Sequence, residues 1–386
     1  MNSMRVWADI SLDNIVHNYR EIKRLVGDSR IMAVVKADAY GHGAVAVSRA
    51  LENAGADRFA VATLQEAINL RKAGISRPIM ILGSSSPAQT EELIRNDIIQ
   101  TVYNLETARE FSRSALGLGR KLKVHIKVDT GMSRLGFVAA HPEELERAAE
   151  TCMLEGLDVE GIFTHLATSE VPEDPFQKKQ LELFREFCGK LESRGIHIPL
   201  KHSANSGAVI NLPESHMDIV RPGLAIYGLY PGRGLSGKAD LKPAMQLRAQ
   251  IVQVHEYTEP VTVSYGRKFA SSGRIKTATV AIGYADGLFR TLSGKMDMLV
   301  KGKRVRQIGA ICMDMCIIDV TNVPDVKEGD TVTLFGTDGS ETISVEELAE
   351  HAGTISYEIV CALSGRVDRR YINCILPTEQ KIDIMT

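Results

Sequence analysis

The chain has 386 residues, more than one ordinary domain needs, so we expect two domains. Its formal net charge of -2 at pH 7 argues against a nucleic-acid binder that works through a strongly basic face. The N-terminal segment has no long apolar core, and no uncharged run of about 18 residues occurs, so we expect neither a targeting segment nor a membrane span.

The cysteines show no metal-binding spacing, because no CxxC pair occurs among them. Two of them are four residues apart in the apolar run ICMDMCIID, where we interpret both as strand residues. We expect buried free thiols, no metal site and a cytoplasmic location in reducing conditions. The six are Cys152, Cys188, Cys312, Cys316, Cys361 and Cys374.

Short apolar runs alternate with longer helical patterns between about residues 30 and 230. The runs are rich in β-branched residues and almost continuously apolar, as in strands that are buried on both faces of a parallel sheet. Among the helical stretches, TLQEAINLRKAGI (63–75) begins with Thr63 and Glu66, the signature of a capping box. The runs are IMAVVKAD (31–38), RFAVAT (58–63), PIMILG (78–83), IIQTVYN (98–104), KVHIKVD (123–129), GIFTHLA (161–167), PLKHSAN (199–205) and DIVRPGLAIYG (218–228).

Eight strands with intervening helices predict an α/β fold of the (β/α)8 TIM-like barrel type, with a doubly wound open sheet as the alternative. Beyond about residue 235 the runs alternate more strictly and closely spaced turns separate them, which indicates a β-rich domain. We therefore expect the barrel in residues 1–235 and the C-terminal β domain in 236–386. The segment RVWADISL (5–12) could open the barrel or join the β domain.

Catalytic groups of such barrels lie at the carboxyl ends of the strands, where Lys36 follows the first apolar run. This lysine could extend to water or pair with Asp38. It could also be a lysine kept neutral enough to form an imine with a carbonyl compound. Tyr40 and the next three residues then open a helix whose N-terminus could accept a phosphate.

The string VVKADAYGHG (34–43) resembles the cofactor-lysine signature of the alanine racemase family. Further matches follow in that family's order along essentially the whole chain, which favours the functional interpretation of Lys36. The other matches are KVDTGMSRLGF (127–137), THLAT (164–168), ANSG (204–207), VRPGLAIYG (220–228), VSYG (263–266), IGYADG (282–287), ICMD (311–314) and YEIVC (357–361).

The resemblance implies a barrel that binds pyridoxal 5'-phosphate (PLP), followed by a β domain, in a homodimer whose partner completes each active site. By the same resemblance Lys36 holds PLP as a Schiff base and removes the proton of D-alanine, while Tyr265 removes that of L-alanine. A free tyrosine is protonated at neutral pH, so Tyr265 needs positive charge nearby. His165 resembles the residue bonded to it, and Arg134 adds positive potential.

Arg221 resembles the arginine that faces the pyridine nitrogen of the cofactor in this family. A guanidinium cannot accept a hydrogen bond, so the ring nitrogen should stay unprotonated and side reactions should be suppressed. The phosphate is expected among small and hydroxyl-bearing residues whose backbone can come close. The residues matched to cofactor binding are Tyr40, His165, Asn205, Ser206, Arg221, Gly223, Leu224 and Tyr357.

Arg134 and the backbone amide of Met313 match the groups that hold the substrate carboxylate. Lys127 matches a lysine that is carbamylated in many members, and a carbamate would orient Arg134 where an ammonium would repel it. Ala310 stands where members often have an arginine of the entrance corridor, which puts the charge of that corridor in doubt. The remaining corridor residues are Tyr284, Glu170, Arg290 and Tyr357.

The resemblance predicts an alanine racemase that supplies D-alanine for peptidoglycan, with PLP as cofactor and neither nucleic acid nor membrane as partner. Two alternatives remain open: a serine or broad-specificity racemase of the same fold, and a PLP-binding barrel without turnover. Barrels of the second kind generally lack a C-terminal β domain. A decarboxylase of the same fold is disfavoured by Arg221, since it would usually need an acidic partner for the ring nitrogen.

Overall fold

The structure, a computed structural model, describes residues 5–372. It divides into two compact units, one spanning Ile15–Lys242 and the other combining the described residues before and after that range. None of the helices in residues 5–372 is long and apolar enough to cross a bilayer.

The first unit alternates strands and helices along the chain. Its strands are short and its helices amphipathic, as the sequence pattern predicts. From the N-terminus, the elements up to residue 242 are β1 (Val6–Ser11), α1 (Leu12–Val26), β2 (Arg30–Val34), α2 (Lys36–Tyr40), α3 (Ala44–Asn53), β3 (Arg58–Val61), α4 (Leu64–Lys72), β4 (Ile79–Ile81), α5 (Thr90–Arg95), β5 (Ile98–Val102), α6 (Leu105–Gly117), β6 (Leu122–Asp129), β7 (Phe137–Val138), α7 (Pro142–Cys152), β8 (Leu157–Phe163), α8 (Pro175–Glu192), β9 (Leu200–His202), α9 (Ser206–Asn211) and β10 (Ile219–Val220).

Eight parallel strands form the barrel in the order β10-β2-β3-β4-β5-β6-β8-β9. The two ends of this order are joined by backbone hydrogen bonds between the chain around β9 and the chain around β10. The Asp218 amide donates to the Lys201 carbonyl (3.1 Å) and the Arg221 amide to the Ala204 carbonyl (2.9 Å). Each of the eight predicted apolar runs overlaps one strand, so the barrel prediction is confirmed and the open sheet is excluded.

Burial explains why the strand sequences are so apolar. Ile31, Met32 and Ala33 of β2 have no exposed surface, because one face of a barrel strand packs inside the barrel and the other packs under the helices. The predicted capping box of α4 is also present, with the Glu66 amide donating to the Thr63 hydroxyl at 3.3 Å.

The second unit is a mainly antiparallel sheet in the order β19-β18-β15-β16-β17-β14-β11-β1-β20. Strand β1 pairs antiparallel with β11 and parallel with β20. Burial alternates along the first half of β11, which matches the alternating sequence. The elements after residue 242 are β11 (Met245–Tyr257), β12 (Thr262–Val263), β13 (Phe269–Ala270), β14 (Ile275–Val280), β15 (Asp297–Val300), β16 (Lys303–Ile308), β17 (Cys316–Asp319), β18 (Thr331–Asp338), β19 (Glu341–Ile343), α10 (Val345–Ala352), α11 (Ser356–Cys361) and β20 (Asp368–Ile372).

The cysteines differ in part from the prediction. Cys316 opens β17, but Cys312 lies in a loop whose backbone bonds Tyr284 and Met315 rather than a strand. Cys361, the last residue of α11, is exposed instead of buried, and Cys152 and Cys312 are only half-buried. All five cysteines among the described residues are free thiols, and Cys374 lies outside that range.

Candidate active site

Lys36 stands at the carboxyl end of β2 and starts a turn of unusual geometry. The four residues Ala37, Asp38, Ala39 and Tyr40 all have left-handed backbone angles, with φ between 51° and 54°. The turn ends at α3, whose first amide, that of Ala44, donates to the Asp38 carboxylate at 2.7 Å. This end of α3 is therefore capped by a carboxylate, so the expected phosphate position at its N-terminus is not supported.

Hydroxyl groups and backbone amides gather where the segment after β10 passes Tyr40. The Ser206 hydroxyl accepts from the Gly223 amide (2.8 Å) and the Ala225 amide (3.2 Å), which leaves its own hydrogen free to be donated. A methyl group on Gly223 would lie 2.5 Å from the Tyr40 hydroxyl, so only glycine allows this approach. Among residues 5–372 the Leu224 amide has no hydrogen-bond acceptor.

Arg221 is buried just after β10, with 3% of its surface exposed. It donates to His202 Nδ1 (2.8 Å) and to the carbonyls of Thr164 (2.7 Å) and Ser203 (2.9 Å). Within the described chain it forms no ion pair with a carboxylate. Burial lowers the pKa of Arg221 to about 9, so the guanidinium still carries its charge at pH 7.

A chain of hydrogen bonds leads from Arg221 into the barrel. Because Arg221 can only donate, His202 must accept at Nδ1 and donate from Nε2 to His125 Nδ1, 2.8 Å away. His125 then presents its Nε2 hydrogen toward Glu160 at 3.8 Å, too far for a hydrogen bond, and Glu160 pairs with Arg58 at 3.2 Å. Burial lowers the pKa of both histidines, so both are neutral at pH 7 and their tautomers are fixed.

Positive charge concentrates around His165 and Lys127. Burial lowers the pKa of His165 well below its usual range, and Arg221, Lys127, Arg134 and Lys36 lower it further, which places all four cationic groups near one imidazole. Burial also lowers the pKa of Lys127 well below its usual range, helped by Arg221. At neutral pH His165 is therefore uncharged, whereas the buried Arg221 keeps its positive charge.

The loop that carries Arg134 is shaped by Asp129 at the end of β6. The Asp129 carboxylate accepts from the amides of Gly131 (2.8 Å), Ser133 (3.1 Å) and Arg134 (3.1 Å). This loop lines a cavity of about 420 Å³ that also reaches Leu183 of α8. Asp129 thus fixes the backbone from which the Arg134 side chain projects, and that side chain is exposed.

Three loops of the β-rich unit carry exposed side chains, and hydrogen bonds join these loops to one another. The Ser264 hydroxyl donates to the Ala310 carbonyl (2.7 Å), and the amides of Tyr284 and Ala285 donate to the carbonyls of Cys312 and Met313 (3.0 and 2.9 Å). The side chains that project from these loops are Tyr265 (72% exposed), Met313 (52%) and Tyr284 (43%).

The remaining predicted residues are two from the expected entrance, Glu170 and Arg290, and two from the expected phosphate site, Asn205 and Tyr357. Glu170 is exposed in the loop after β8, where its backbone lies against Gly232. Arg290 is exposed beside Lys268, Arg306 and the buried Ala310 in a cavity of about 460 Å³ within the β-rich unit. Asn205 caps α9 through the Ala208 amide (3.1 Å), and Tyr357 lies half-buried in α11.

The donors in the barrel fit the chemistry of PLP. A phosphate dianion needs hydrogen-bond donors, and three are available here: the Ser206 hydroxyl, the Tyr40 hydroxyl and the Leu224 amide. The buried cation of Arg221 suits a neutral ring nitrogen. Sequence interpretation missed the residues that act behind these, namely His125, His202, Asp129 and Glu160. Histidines inside the apolar runs KVHIKVD and PLKHSAN were the available signal for the first two.

The fold and the position of these side chains define a class of protein. Lys36, Lys127, Arg134, His165, Ser206 and Arg221 all lie at or beyond the carboxyl ends of barrel strands, where (β/α)8 enzymes place their active sites. The chain is therefore a barrel enzyme with a separate β-rich unit.

Comparison with known proteins identifies the enzyme family to which the chain belongs. The models of the N-terminal and C-terminal domains of alanine racemase match residues 10–231 and 244–371. An alanine racemase of Clostridium perfringens SM101 is 47% identical over 367 residues, 95% of each chain. A solved alanine racemase of Clostridium difficile 630 is 40% identical with a TM-score of 0.92, covering 96% of this chain and 97% of the other. A complex of that organism's enzyme with cycloserine has a TM-score of 0.89 at 38% identity, covering 96% of each chain.

The chain belongs to the alanine racemase family, whose members depend on PLP.

Proposed function

We propose that this protein interconverts L-alanine and D-alanine, with PLP held by Lys36 and with Lys36 and Tyr265 as the two bases. The observation that carries the proposal is Arg221, a buried cation at the strand ends with no carboxylate partner in the described chain. The similarity of the chain to proteins named alanine racemase over nearly its full length supports it.

Arg221 bears on which reaction the cofactor supports. A carboxylate at this position would keep the ring nitrogen protonated, whereas the Arg221 guanidinium can only donate and repels a second positive charge. His202 accepts a hydrogen bond from the guanidinium and is bonded in turn to His125, and burial lowers the pKa of both histidines, so neither adds a positive charge at neutral pH. This environment favours simple return of a proton over transamination or elimination.

Each base in the proposed reaction serves one face of the substrate. PLP, when bound, accepts the electron pair that the α-carbon keeps after its proton leaves. Lys36 Nζ removes the proton of D-alanine, and Tyr265 Oη donates one to the opposite face to give L-alanine; the reverse reaction exchanges their roles. As the resemblance implies, His165 would donate a hydrogen bond to the Tyr265 oxygen, and Arg134, whose charge lies near His165, would add positive potential there.

Binding of the substrate rests on Arg134, whose guanidinium suits a carboxylate, assisted by the Met313 amide. Asp129 fixes the Arg134 backbone, and Tyr357 limits the space near the substrate side chain. Tyr284, Glu170 and Arg290 line the proposed entrance, which lacks an arginine at Ala310. Tyr40, Asn205, Ser206, Gly223, Leu224 and Tyr357 are proposed around the phosphate, with Asn205 acting by capping α9 behind Ser206.

The first prediction concerns specificity. The purified protein with PLP should racemise L-alanine with a kcat/KM at least about tenfold above those for L-serine and L-lysine, because each poorly fitting group in a confined pocket loses about 1–3 kcal/mol. Chiral analysis of the three products measures this. A larger kcat/KM for serine would instead favour the broad-specificity racemase, for which the missing arginine at Ala310 would be the explanation.

We propose a homodimer in which Tyr265 and Met313 serve Lys36 of the partner subunit. The exposure of Tyr265, Met313 and Tyr284 on loops bonded together supports this, since large apolar side chains exposed as a group typically mark an interface. A role in supplying D-alanine for peptidoglycan and a cytoplasmic location complete the proposal, and the free thiols of the described chain are consistent with reducing conditions.

We also propose that Lys127 is carbamylated. The lowered pKa of Lys127 favours its neutral amine, the form that adds to carbon dioxide, and the resulting anion would lie near the cations of Arg134 and Arg221. The Lys127 amine makes a long hydrogen bond of 3.4 Å to the Val128 carbonyl and lies 4.8 Å from the centre of the Phe163 ring.

The second prediction tests the modification. Replacing Lys127 by alanine should lower kcat/KM for alanine by about 10- to 100-fold, because Arg134 loses a group that orients it. Millimolar acetate or propionate should restore part of the activity to Lys127→Ala, and intact-mass measurement should show one added carbon dioxide on the wild-type chain only. A Lys127→Ala variant with full activity would contradict the proposal.

A further inference from the structure

The turn that follows Lys36 is strained and must be held by its surroundings. Left-handed angles cost about 1–2 kcal/mol for each residue that has a Cβ atom, and here four such residues follow one another without a glycine. Backbone of this kind persists only where neighbouring groups determine it. Backbone bonds inside it run from the Ala39 amide to the Val35 carbonyl (3.0 Å) and from the Gly41 amide to the Ala37 carbonyl (3.0 Å), and the Val35 amide donates to the Ala60 carbonyl at the end of β3 (2.9 Å).

Glu66 makes contacts that its place in a capping box does not require. One carboxylate oxygen accepts from the amides of Thr63 (3.1 Å) and Ala62 (2.7 Å), and the other accepts from the Ala37 amide at 2.7 Å. Only the bond to Thr63 belongs to the capping box. The other two tie the end of β3 and the lysine turn to one carboxylate, 29 residues away from Ala37 along the chain.

The Ala37 amide belongs to the peptide group that joins Lys36 to Ala37. A charge-assisted bond to this N–H fixes the orientation of that peptide plane, and with it the backbone angle that aims the Lys36 side chain. At the other end of the turn Asp38 bonds the Ala44 amide, and the Tyr40 ring lies 4.9 Å from that of Tyr227. Glu66 therefore supplies a side-chain anchor at the lysine end of the turn.

We propose that Glu66 is a positioning residue for the cofactor lysine: through the Ala37 amide it holds Lys36 in the orientation that reaches the cofactor's aldehyde. The proposal rests on the function assigned to Lys36 above. It gives Glu66 a second role beside helix capping, and it predicts that loss of its carboxylate affects formation of the lysine linkage more than non-covalent binding of the cofactor.

The test uses Glu66→Gln, which keeps the size of the side chain but replaces one acceptor oxygen by a donor. After the bound cofactor is removed, PLP is added and the borohydride-reducible linkage on Lys36 is followed by peptide mass. We expect the linkage to form at least about tenfold more slowly in Glu66→Gln, since a displacement of about 1 Å can cost a factor of 10² in rate. Pyridoxamine 5'-phosphate, which cannot link to lysine, should bind with a Kd within about twofold of wild type.

Thr63→Ala is the matched control, because it removes the cap of the same helix and leaves all three bonds to Glu66. It should form the linkage within about twofold of the wild-type rate even if its Tm falls. Glu66→Ala removes the carboxylate and places no hydrogen-bond donor against the three amides. It should also form the lysine linkage slowly and bind pyridoxamine 5'-phosphate normally.

Three results would overturn the proposal: a wild-type linkage rate in both Glu66 variants, an equal slowing in Thr63→Ala, or parallel losses of linkage rate and pyridoxamine phosphate affinity. Failure of the underlying function is distinguishable, because wild-type protein would then carry its reduced label on a lysine other than Lys36. That result is obtained before any Glu66 variant is made.

Discussion

Tyr265→Phe should lower racemisation of alanine by about 10²- to 10⁴-fold while PLP remains bound, because it removes one of two proton-transfer groups. The overall rates must fall together in both directions, since the two enantiomers have equal free energies. The asymmetry will be found in exchange with heavy water. D-alanine should still exchange its α-hydrogen through Lys36, whereas L-alanine should not.

Proton magnetic resonance of each enantiomer in deuterium oxide measures this exchange. Tyr257→Phe is a suitable control, since it makes the same chemical change at a half-buried tyrosine of β11. Exchange of L-alanine by Tyr265→Phe at the wild-type rate would exclude Tyr265 as the base for that enantiomer.

Lys36→Ala should give the complementary result, with racemisation lowered by about 10²- to 10⁴-fold or more. It loses the covalent site of the cofactor as well as one base, so the borohydride-reducible label should disappear from the peptide that contains residue 36. D-alanine should no longer exchange its α-hydrogen, while L-alanine retains slow exchange through Tyr265.

Lys72→Ala, at an exposed position in the last turn of α4, controls for loss of a lysine. Lys127 is the informative rival, because its pKa is lowered and it lies near the same cations. If borohydride reduction labelled Lys127 in the wild-type protein, Lys127 and not Lys36 would be the lysine that holds the cofactor.

Much of the barrel could be predicted from the sequence, because each buried strand requires a continuous apolar run and each run ends in polar residues at the site. The placement of RVWADISL could not be decided, since alternating and continuous patterns are hard to distinguish over so few residues. The apolar run around Cys312 predicts a strand, but backbone bonds to Tyr284 and Met315 hold this residue in a loop.

The site itself was less accessible to sequence interpretation. Ala-Asp-Ala-Tyr contains no glycine, so nothing in it predicts four left-handed residues, and only long-range contacts such as that of Glu66 with Ala37 select that conformation. The Arg221–His202–His125 chain joins two strand residues to one that follows a third strand, and hydrogen-bond partners that far apart in sequence become visible only when the barrel closes.

Mixing the two inactive variants tests the central claim most directly, namely that Lys36 and Tyr265 of different subunits form each active site. When Lys36→Ala and Tyr265→Phe are unfolded, combined in equal amounts and refolded with PLP, half of the dimers should contain one chain of each kind. Each of these carries one intact site and one doubly altered site, so the mixture should recover about one quarter of wild-type activity. If both bases of a site came from the same chain, the mixture would remain as inactive as its components, and the account would be wrong.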